Sequence, residues 1–363
     1  MIVPFWGAAL AKMSRKKTLL VTGGAGFVGS ALVRQLVGET DATVVNVDAL
    51  TYAGNLDALA DARENPRHLF ERVDIRKRPD LDRLFREHRP DAVLHLAAET
   101  HVDRSIDAPT TFAETNLLGT VNLLEAARTH WNDLEDSARE TFRFLHVSTD
   151  EVYGDLGPEE PAFREDRAYA PSSPYSATKA GADHLVRAWQ RTYGFPVLIT
   201  HGSNSYGPYQ LADKLIPLMI STALEGEALP VYGNGQNVRE WLHVDDHARA
   251  LRRVLAAGTP GRTYAIGGEA RSNLEVVQAI CAILDRLVPR ASSSYAELVQ
   301  FVADRPGHDR RYATDDARIR SELGWAPAER FDTGLEKTVQ WYVDHRVWTR
   351  RARASGKRRS PGS

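Results

Sequence analysis

A single cysteine in 363 residues leaves no internal disulfide to form. Cys281 falls in the apolar run 276–287, where a buried structural thiol in a reducing compartment is the expectation, and with it a cytoplasmic enzyme. No apolar stretch is long enough to cross a bilayer. The apolar start 1–10 precedes its basic cluster Arg15-Lys16-Lys17, the reverse of a secretory signal. Met13 is the expected natural start, because Met13-Ser-Arg-Lys-Lys-Thr leads directly into the first strand pattern. A net charge of −2 supplies no field for nucleic acid or an anionic membrane. The chain shows no internal repeat and no low-complexity core, and no metal is expected.

What remains is the composition of an ordinary globular enzyme, 42% apolar and 26% charged, too long for one small domain. Short apolar runs alternate with helical periodicity through the first half, which predicts βα units and a doubly wound parallel sheet of the Rossmann type. Strands are predicted at 18–22, 43–48, 68–73, 92–96, 142–148 and 196–200. Helices are predicted at 30–36, 112–127 and 176–193. After Gly207, prolines and glycines punctuate short segments, with later helices around 275–287 and 314–323. The predicted organisation is a tail at 1–16, a dinucleotide-binding domain at 17–206, a smaller α/β substrate-binding domain at 207–348 and a disordered basic tail at 349–363. Residues 238–256 are expected to return to the first domain as a strand-helix piece.

The first strand runs into Gly23-Gly24-Ala25-Gly26-Phe27-Val28-Gly29. Glycines at 23, 26 and 29 allow a tight turn, close backbone approach to a pyrophosphate and close packing of helix on strand. A lone glycine pattern is weak, but this one follows a strand, opens a helix and is followed by an acid ending strand two. That acid, Asp48, can accept both hydroxyls of an adenosine ribose and would repel a 2′-phosphate, so NAD is expected over NADP. Asp74 and Ile75 end strand three, where they either flank the adenine or simply terminate the strand. Leu96, Ala97 and Ala98 end strand four with small residues beside the cofactor path.

Two chemical devices follow. Tyr175 and Lys179 lie one helical turn apart, so an ammonium can stabilise a phenolate, drawing the phenol down towards neutrality as a base. By itself this spacing is commonly just an exposed helical pair; the glycine loop is what favours catalysis. Thr149-Asp150-Glu151 places a hydroxyl and two adjacent carboxyls at the end of strand five. Oxidising a sugar carbon acidifies the neighbouring C–H, and two carboxyls in different surroundings can divide the base and acid work of an elimination. The competing reading, two solvated acids in a loop, is weakened by their position at a strand end ahead of a helix.

The segments 23–29, 96–105 (Leu-Ala-Ala-Glu-Thr-His-Val-Asp-Arg-Ser), 148–154 (Ser-Thr-Asp-Glu-Val-Tyr-Gly), 173–179 (Ser-Pro-Tyr-Ser-Ala-Thr-Lys) and 303–309 (Ala-Asp-Arg-Pro-Gly-His-Asp) together resemble the dTDP-glucose 4,6-dehydratases, a branch of the extended short-chain dehydrogenase/reductases. The resemblance runs from about residue 17 to 348, and Thr-Asp-Glu is its most specific mark. It implies that Tyr175 deprotonates the glucose 4-hydroxyl as hydride passes to NAD, that Glu151 removes the C5 proton, and that Asp150 protonates the departing 6-hydroxyl. It further implies cofactor contacts from Leu50, Thr51, Thr115 and Ser205. Substrate contacts would come from Thr100, Asn204, Lys214, Leu215, Pro230, Tyr232, Arg239, Asn273, Arg305 and His308. Arg239 and Arg305 would meet the diphosphate or nucleoside, while Tyr232 either stacks on the base or packs in the core. Ser205 departs from the family pattern, which usually carries a second Asn. A homodimer joined by a four-helix interface of 112–127 and 176–193 is implied by the same analogy. Three other readings stay open: a nucleotide-sugar 4-epimerase, a GDP- or CDP-sugar dehydratase, and a silent NAD-binding protein.

Overall fold

A computed structural model describes residues 16–291, 293–304 and 308–357. Seven parallel strands form the central sheet in the order β10-β6-β5-β4-β1-β2-β3. They are β1 (Thr18–Thr22), β2 (Thr43–Val47), β3 (His68–Glu71), β4 (Ala92–His95), β5 (Arg143–Thr149), β6 (Val197–Gly202) and β10 (Thr263–Ile266). Central strands such as β4 and β6 are buried at every residue, as continuous β-branched and leucine runs require when helices cover both faces. The strand order reverses between β1 and β4, so their carboxyl ends open a crevice at the topological switch point.

On one face lie α1 (Phe27–Glu39) and, further along the chain, α6 (Val244–Ala257), whose apolar residues join the β1, β2 and β4 side chains in one core. On the other lie α2 (Arg78–His88), α3 (Thr120–Asn132) and α4 (Pro174–Tyr193). α4 starts on a capping box in which Ser173 and Ser176 satisfy each other's backbone amides, with Pro174 in its first turn. That start fixes the phase of Tyr175 and Lys179. The helix predicted over 112–127 is real but interrupted: a turn at Pro109–Phe112 and a π-helical stretch at Ala113–Gly119 precede α3. The bulge presents Asn116 to the loop after β4. Its amide exchanges hydrogen bonds with the Glu99 backbone at 2.9 and 3.0 Å and donates to Thr178 Oγ1.

The second lobe holds β7 (Asn204–Tyr206), β9 (Val238–His243) and β11 (Glu269–Ser272) in one small sheet and β8 (Leu229–Tyr232) with β12 (Val299–Val302) in another. α5 (Leu215–Leu224), α7 (Asn273–Leu287) and α9 (Phe331–Asp344) enclose its own core, which contains Cys281, while α8 (Ala317–Leu323) packs Ile319 and Leu323 into the core under the main sheet. Two expectations change here. The strand of the predicted 238–256 piece joins the small sheet; only its helix, α6, returns to the main domain, and β10 is the strand that extends the main sheet. The supposed disordered tail is helical through α10 (Arg346–Lys357). Trp348 packs edge-on to Trp341, and Arg350 and Arg353 pair with Glu225 and Glu227 beyond α5, so one helical face has partners that local composition could not reveal. The Met13 expectation and Arg305 lie outside the described residues.

Candidate active site

One continuous cleft at the switch point is lined by the glycine turn, Asp48, Asp74, Ile75, the 96–100 loop, Thr149 to Glu151, Tyr175 and Lys179. Thr51, Thr115, Asn204, Ser205 and Lys214 complete it from the neighbouring loops and the second lobe. Gly23 adopts φ +73°, and a Cβ there would sit 2.6 Å from the Ala97 amide nitrogen, so no side chain fits between β1 and β4. α1 begins after Gly26 with no side-chain cap, and its first amides face an anion-binding position. Asp48 accepts from the amides of Ala25 (3.0 Å) and Leu50 (2.8 Å), pinning the glycine turn to the end of β2. Burial nevertheless raises its pKa above the ordinary carboxylate value. Leu50 takes φ +53° and packs against the main core, so the cleft wall here is made by Asp48, Ala49 and Thr51. Turn, uncapped helix and carboxylate together fit a dinucleotide.

Asp74 reaches the cleft wall but is held by Arg76, 2.7 Å away, which also approaches Glu114 at 3.5 Å. With that guanidinium already paired with two carboxylates, a 2′-phosphate gains little there. Ser205 bonds His247 Nδ1 at 2.8 Å, so the shorter side chain reaches a partner inside the protein.

Thr149 ends β5 and caps the 3₁₀ turn Asp150–Tyr153 by accepting from the Glu151 amide. Asp150 is 1% exposed, and one of its oxygens has no hydrogen-bond partner. Burial, then the neighbouring Glu151 charge, raises its pKa well above the usual range, which favours the acid form. Asp150 is buried and Glu151 is only half-buried, so two adjacent carboxyls sit in different surroundings, the arrangement acid/base work needs. Lys179 donates to the Val147 carbonyl at 2.8 Å, and burial lowers its pKa to about 8. Tyr175 departs from expectation: burial and the Glu151 charge push its phenol up, outweighing its bond with Thr149. In this chain alone the carboxylates govern the phenol more than the ammonium does.

The expected substrate residues divide into two groups. Thr100, Thr149, Asn204 and Lys214 line the cleft, and Lys214 Nζ donates to the Thr100 carbonyl at 3.2 Å across the lobes. Leu215, Pro230, Tyr232, Arg239, Asn273 and His308 lie off its wall. Leu215 opens α5 against the lobe core, and Pro230 and Tyr232 sit on β8. Tyr232 is 45% exposed, which rules out core packing, and its ring meets His308 edge-on. The Asn273 amide bonds the Asn237 carbonyl, and Arg239 is buried, donating to the Val238 and Asp309 carbonyls with its guanidinium over the Tyr312 ring.

Behind the acid turn the structure adds Glu240, which no motif marked. It is 8% exposed, accepts from the Thr314 amide, and is raised by burial to about 7. Because the folded value exceeds the unfolded 4.5, its contribution to stability is present below pH 4.5 and lost as pH rises through about 7. Glu240→Gln should therefore gain on the order of 3 kcal/mol over wild type between acid and neutral pH. Parallel urea melts at the two pH values test this, and an unchanged difference would contradict it.

Residues 20–338 match the family model described as GDP-mannose 4,6 dehydratase. The chain is 57% identical over 336 residues to a dTDP-glucose 4,6-dehydratase of Neisseria meningitidis serogroup B, covering 92% of this chain and 95% of that one. It is 56% identical over 339 residues to dTDP-glucose 4,6-dehydratase 1 of Escherichia coli K12, with 91% and 94% covered. The crystal structure of a dTDP-glucose 4,6-dehydratase from Streptomyces venezuelae, solved with NAD bound, superposes with a TM-score of 0.83 at 45% identity, covering 91% and 98%. With the Thr-Asp-Glu turn and the Tyr/Lys helix meeting in one cleft, the chain belongs to the dTDP-glucose 4,6-dehydratase family.

Proposed function

We propose that this protein converts dTDP-glucose to dTDP-4-keto-6-deoxyglucose and water, serving deoxysugar biosynthesis. The observation that carries the reading is the buried Asp150 beside Glu151 in the cleft that also holds Tyr175 and Lys179. NAD, when bound, supplies a hydride acceptor for oxidation at C4 and a hydride donor for reduction at C6. Tyr175 takes the proton of the 4-hydroxyl while Thr149 holds that oxygen. Glu151 removes the C5 proton made acidic by the adjacent ketone. Asp150 gives its proton to the departing 6-hydroxyl, and C5 is reprotonated as C6 is reduced. Atoms balance as loss of one water, and no net oxidant is consumed. An epimerase would have no use for two carboxyls here. The reading is tested by incubating the protein separately with dTDP-, UDP-, GDP- and CDP-glucose and weighing the products. A product lighter by one water from dTDP-glucose alone supports it, and unchanged mass contradicts it.

The protein acts as a homodimer through the helices around 112–127 and 176–193. Supporting this, Ile106 and Leu118 are 53% and 61% exposed beside that pair of helices. Leu118→Arg should leave a monomer by sedimentation; a wild-type chain that is already monomeric contradicts the assembly. The buried, unpaired Cys281 thiol, raised by burial to about 11, suits a reducing cytoplasm. Among the described residues no helix is long and apolar enough to cross a membrane.

A further inference from the structure

Beneath the two catalytic devices runs a buried polar chain that the reaction scheme leaves unused. Asp183 lies one turn beyond Lys179 on α4. It accepts from His201 Nε2 of β6 at 2.8 Å and from the Tyr169 hydroxyl at 2.8 Å. The other nitrogen of that ring, His201 Nδ1, lies 2.7 Å from the Tyr153 hydroxyl. Tyr153 closes the 3₁₀ turn that begins with Asp150 and Glu151. Asp183, His201 and Tyr153 are each no more than 1% exposed, so water does not compete for these bonds.

With the His201 ring neutral, the direction of each bond follows from its two neighbours. Burial alone would raise Asp183, but the His201 ring overrides it and holds the carboxyl well below its usual range. It is therefore an acceptor, and Nε2–H of His201 is the donor. Burial pushes the Tyr153 phenol up, so its hydroxyl keeps its proton and donates to Nδ1. His146 Nε2 lies 3.2 Å from the other Asp183 oxygen without hydrogen-bond alignment, and its ring, at about 4, stays neutral. The result is a chain of donors running from the acid/base turn, through β6, to the Tyr/Lys helix.

We propose that Tyr153, His201 and Asp183 form a positioning strut that holds the Asp150–Glu151 turn in register with the Tyr175–Lys179 helix. The turn needs such a tie. It ends at Gly154, in a left-handed conformation, with a 3.3 Å bond back to Glu151. Tyr153 stacks on Phe163, meets Tyr169 and His201 edge-on, and the Ala170 amide bonds the Val152 carbonyl; the Tyr153 hydroxyl adds a directional bond toward α4. Oxidation at C4 uses residues of α4 and the strand end. Elimination at C5 and C6 needs Glu151 and Asp150 placed correctly against a substrate already held by α4, and displacement of about 1 Å at such a step costs about a hundredfold. Loosening the strut therefore slows elimination more than oxidation.

This inference rests on the dehydratase reading above, and its test separates the two. Tyr153→Phe removes one hydroxyl and keeps the ring that packs on Phe163. With dTDP-glucose and the cofactor-loaded enzyme, kcat should fall about tenfold with KM unchanged. Reduced nicotinamide, followed by its near-ultraviolet absorbance, should accumulate on the enzyme above the wild-type level. Asp183→Asn, equal in shape but uncharged and able to donate towards His201, should show the same signature. Wild-type kcat in both variants overturns the strut, as does a fall in kcat without accumulated reduced cofactor, since oxidation and elimination would then be slowed alike. Failure of the wild-type enzyme to dehydrate dTDP-glucose would instead overturn the proposed function.

Discussion

Glu151→Gln should lower formation of the 4-keto-6-deoxy product by about 10²- to 10⁴-fold, the range expected when a positioned general base is lost. Glutamine fills the same space and cannot take a proton, so the fold and the cleft are unaffected. Its further effects are readable from the electrostatics. The Glu151 charge helps raise both the Asp150 carboxyl and the Tyr175 phenol. Removing it relaxes both groups towards their ordinary values, so the phenol ionises more readily while the elimination loses its own base. Oxidation at C4 should persist and reduced cofactor should stay on the enzyme. Rapid-quench product analysis beside absorbance at the nicotinamide band reads both steps. Wild-type product formation by Glu151→Gln would show that this carboxylate is not the base.

Tyr175→Phe should have the complementary result, with both half-reactions lost by at least about a hundredfold. Tyr175 is 7% exposed and its ring meets Phe112 edge-on, contacts that phenylalanine keeps. The hydroxyl is the only group removed, and with it go the proton transfer from the 4-hydroxyl and the bond to Thr149. No reduced cofactor should appear during turnover. Its appearance at the wild-type rate would mean that another group, Asp150 or Glu151, opens the reaction. The two variants thus fail at different steps, which separates an internal redox dehydration from an ordinary dehydrogenase.

Most of the parallel sheet was legible because its strands are short apolar runs ending in turn residues, and local pattern is enough for those. β10 was not. Thr263–Ile266 is four residues long, and its place beside β6 is set by pairing with a strand more than sixty positions earlier. β9 has a strand pattern like the others, but its partners β7 and β11 put it in a different sheet, and no periodicity distinguishes one sheet from another. The α10 helix was read as a solvated tail because its arginines look free in composition; Glu225 and Glu227, more than a hundred residues away, give them partners.

In the site, motifs with strict local geometry were found from sequence: the glycine turn, Asp48, the Thr-Asp-Glu turn and the Tyr/Lys pair all line one cleft. Asn116, Glu240, His201 and Asp183 were not, because each matters through a partner distant in sequence. Asn116 was hidden by a π-bulge that a helical pattern cannot show. Arg239 shows the opposite limit. Its type suggested a phosphate contact; in the structure its two terminal nitrogens donate to the Val238 and Asp309 carbonyls, contacts that residue type does not reveal.

The most direct test of the central claim follows one hydrogen. dTDP-glucose carrying deuterium at C4 is incubated with the enzyme and no added reductant, and the product is examined by mass spectrometry and NMR. The account predicts loss of one water with the deuterium now on C6. Deuterium remaining at C4, or released to solvent with no loss of water, would contradict it.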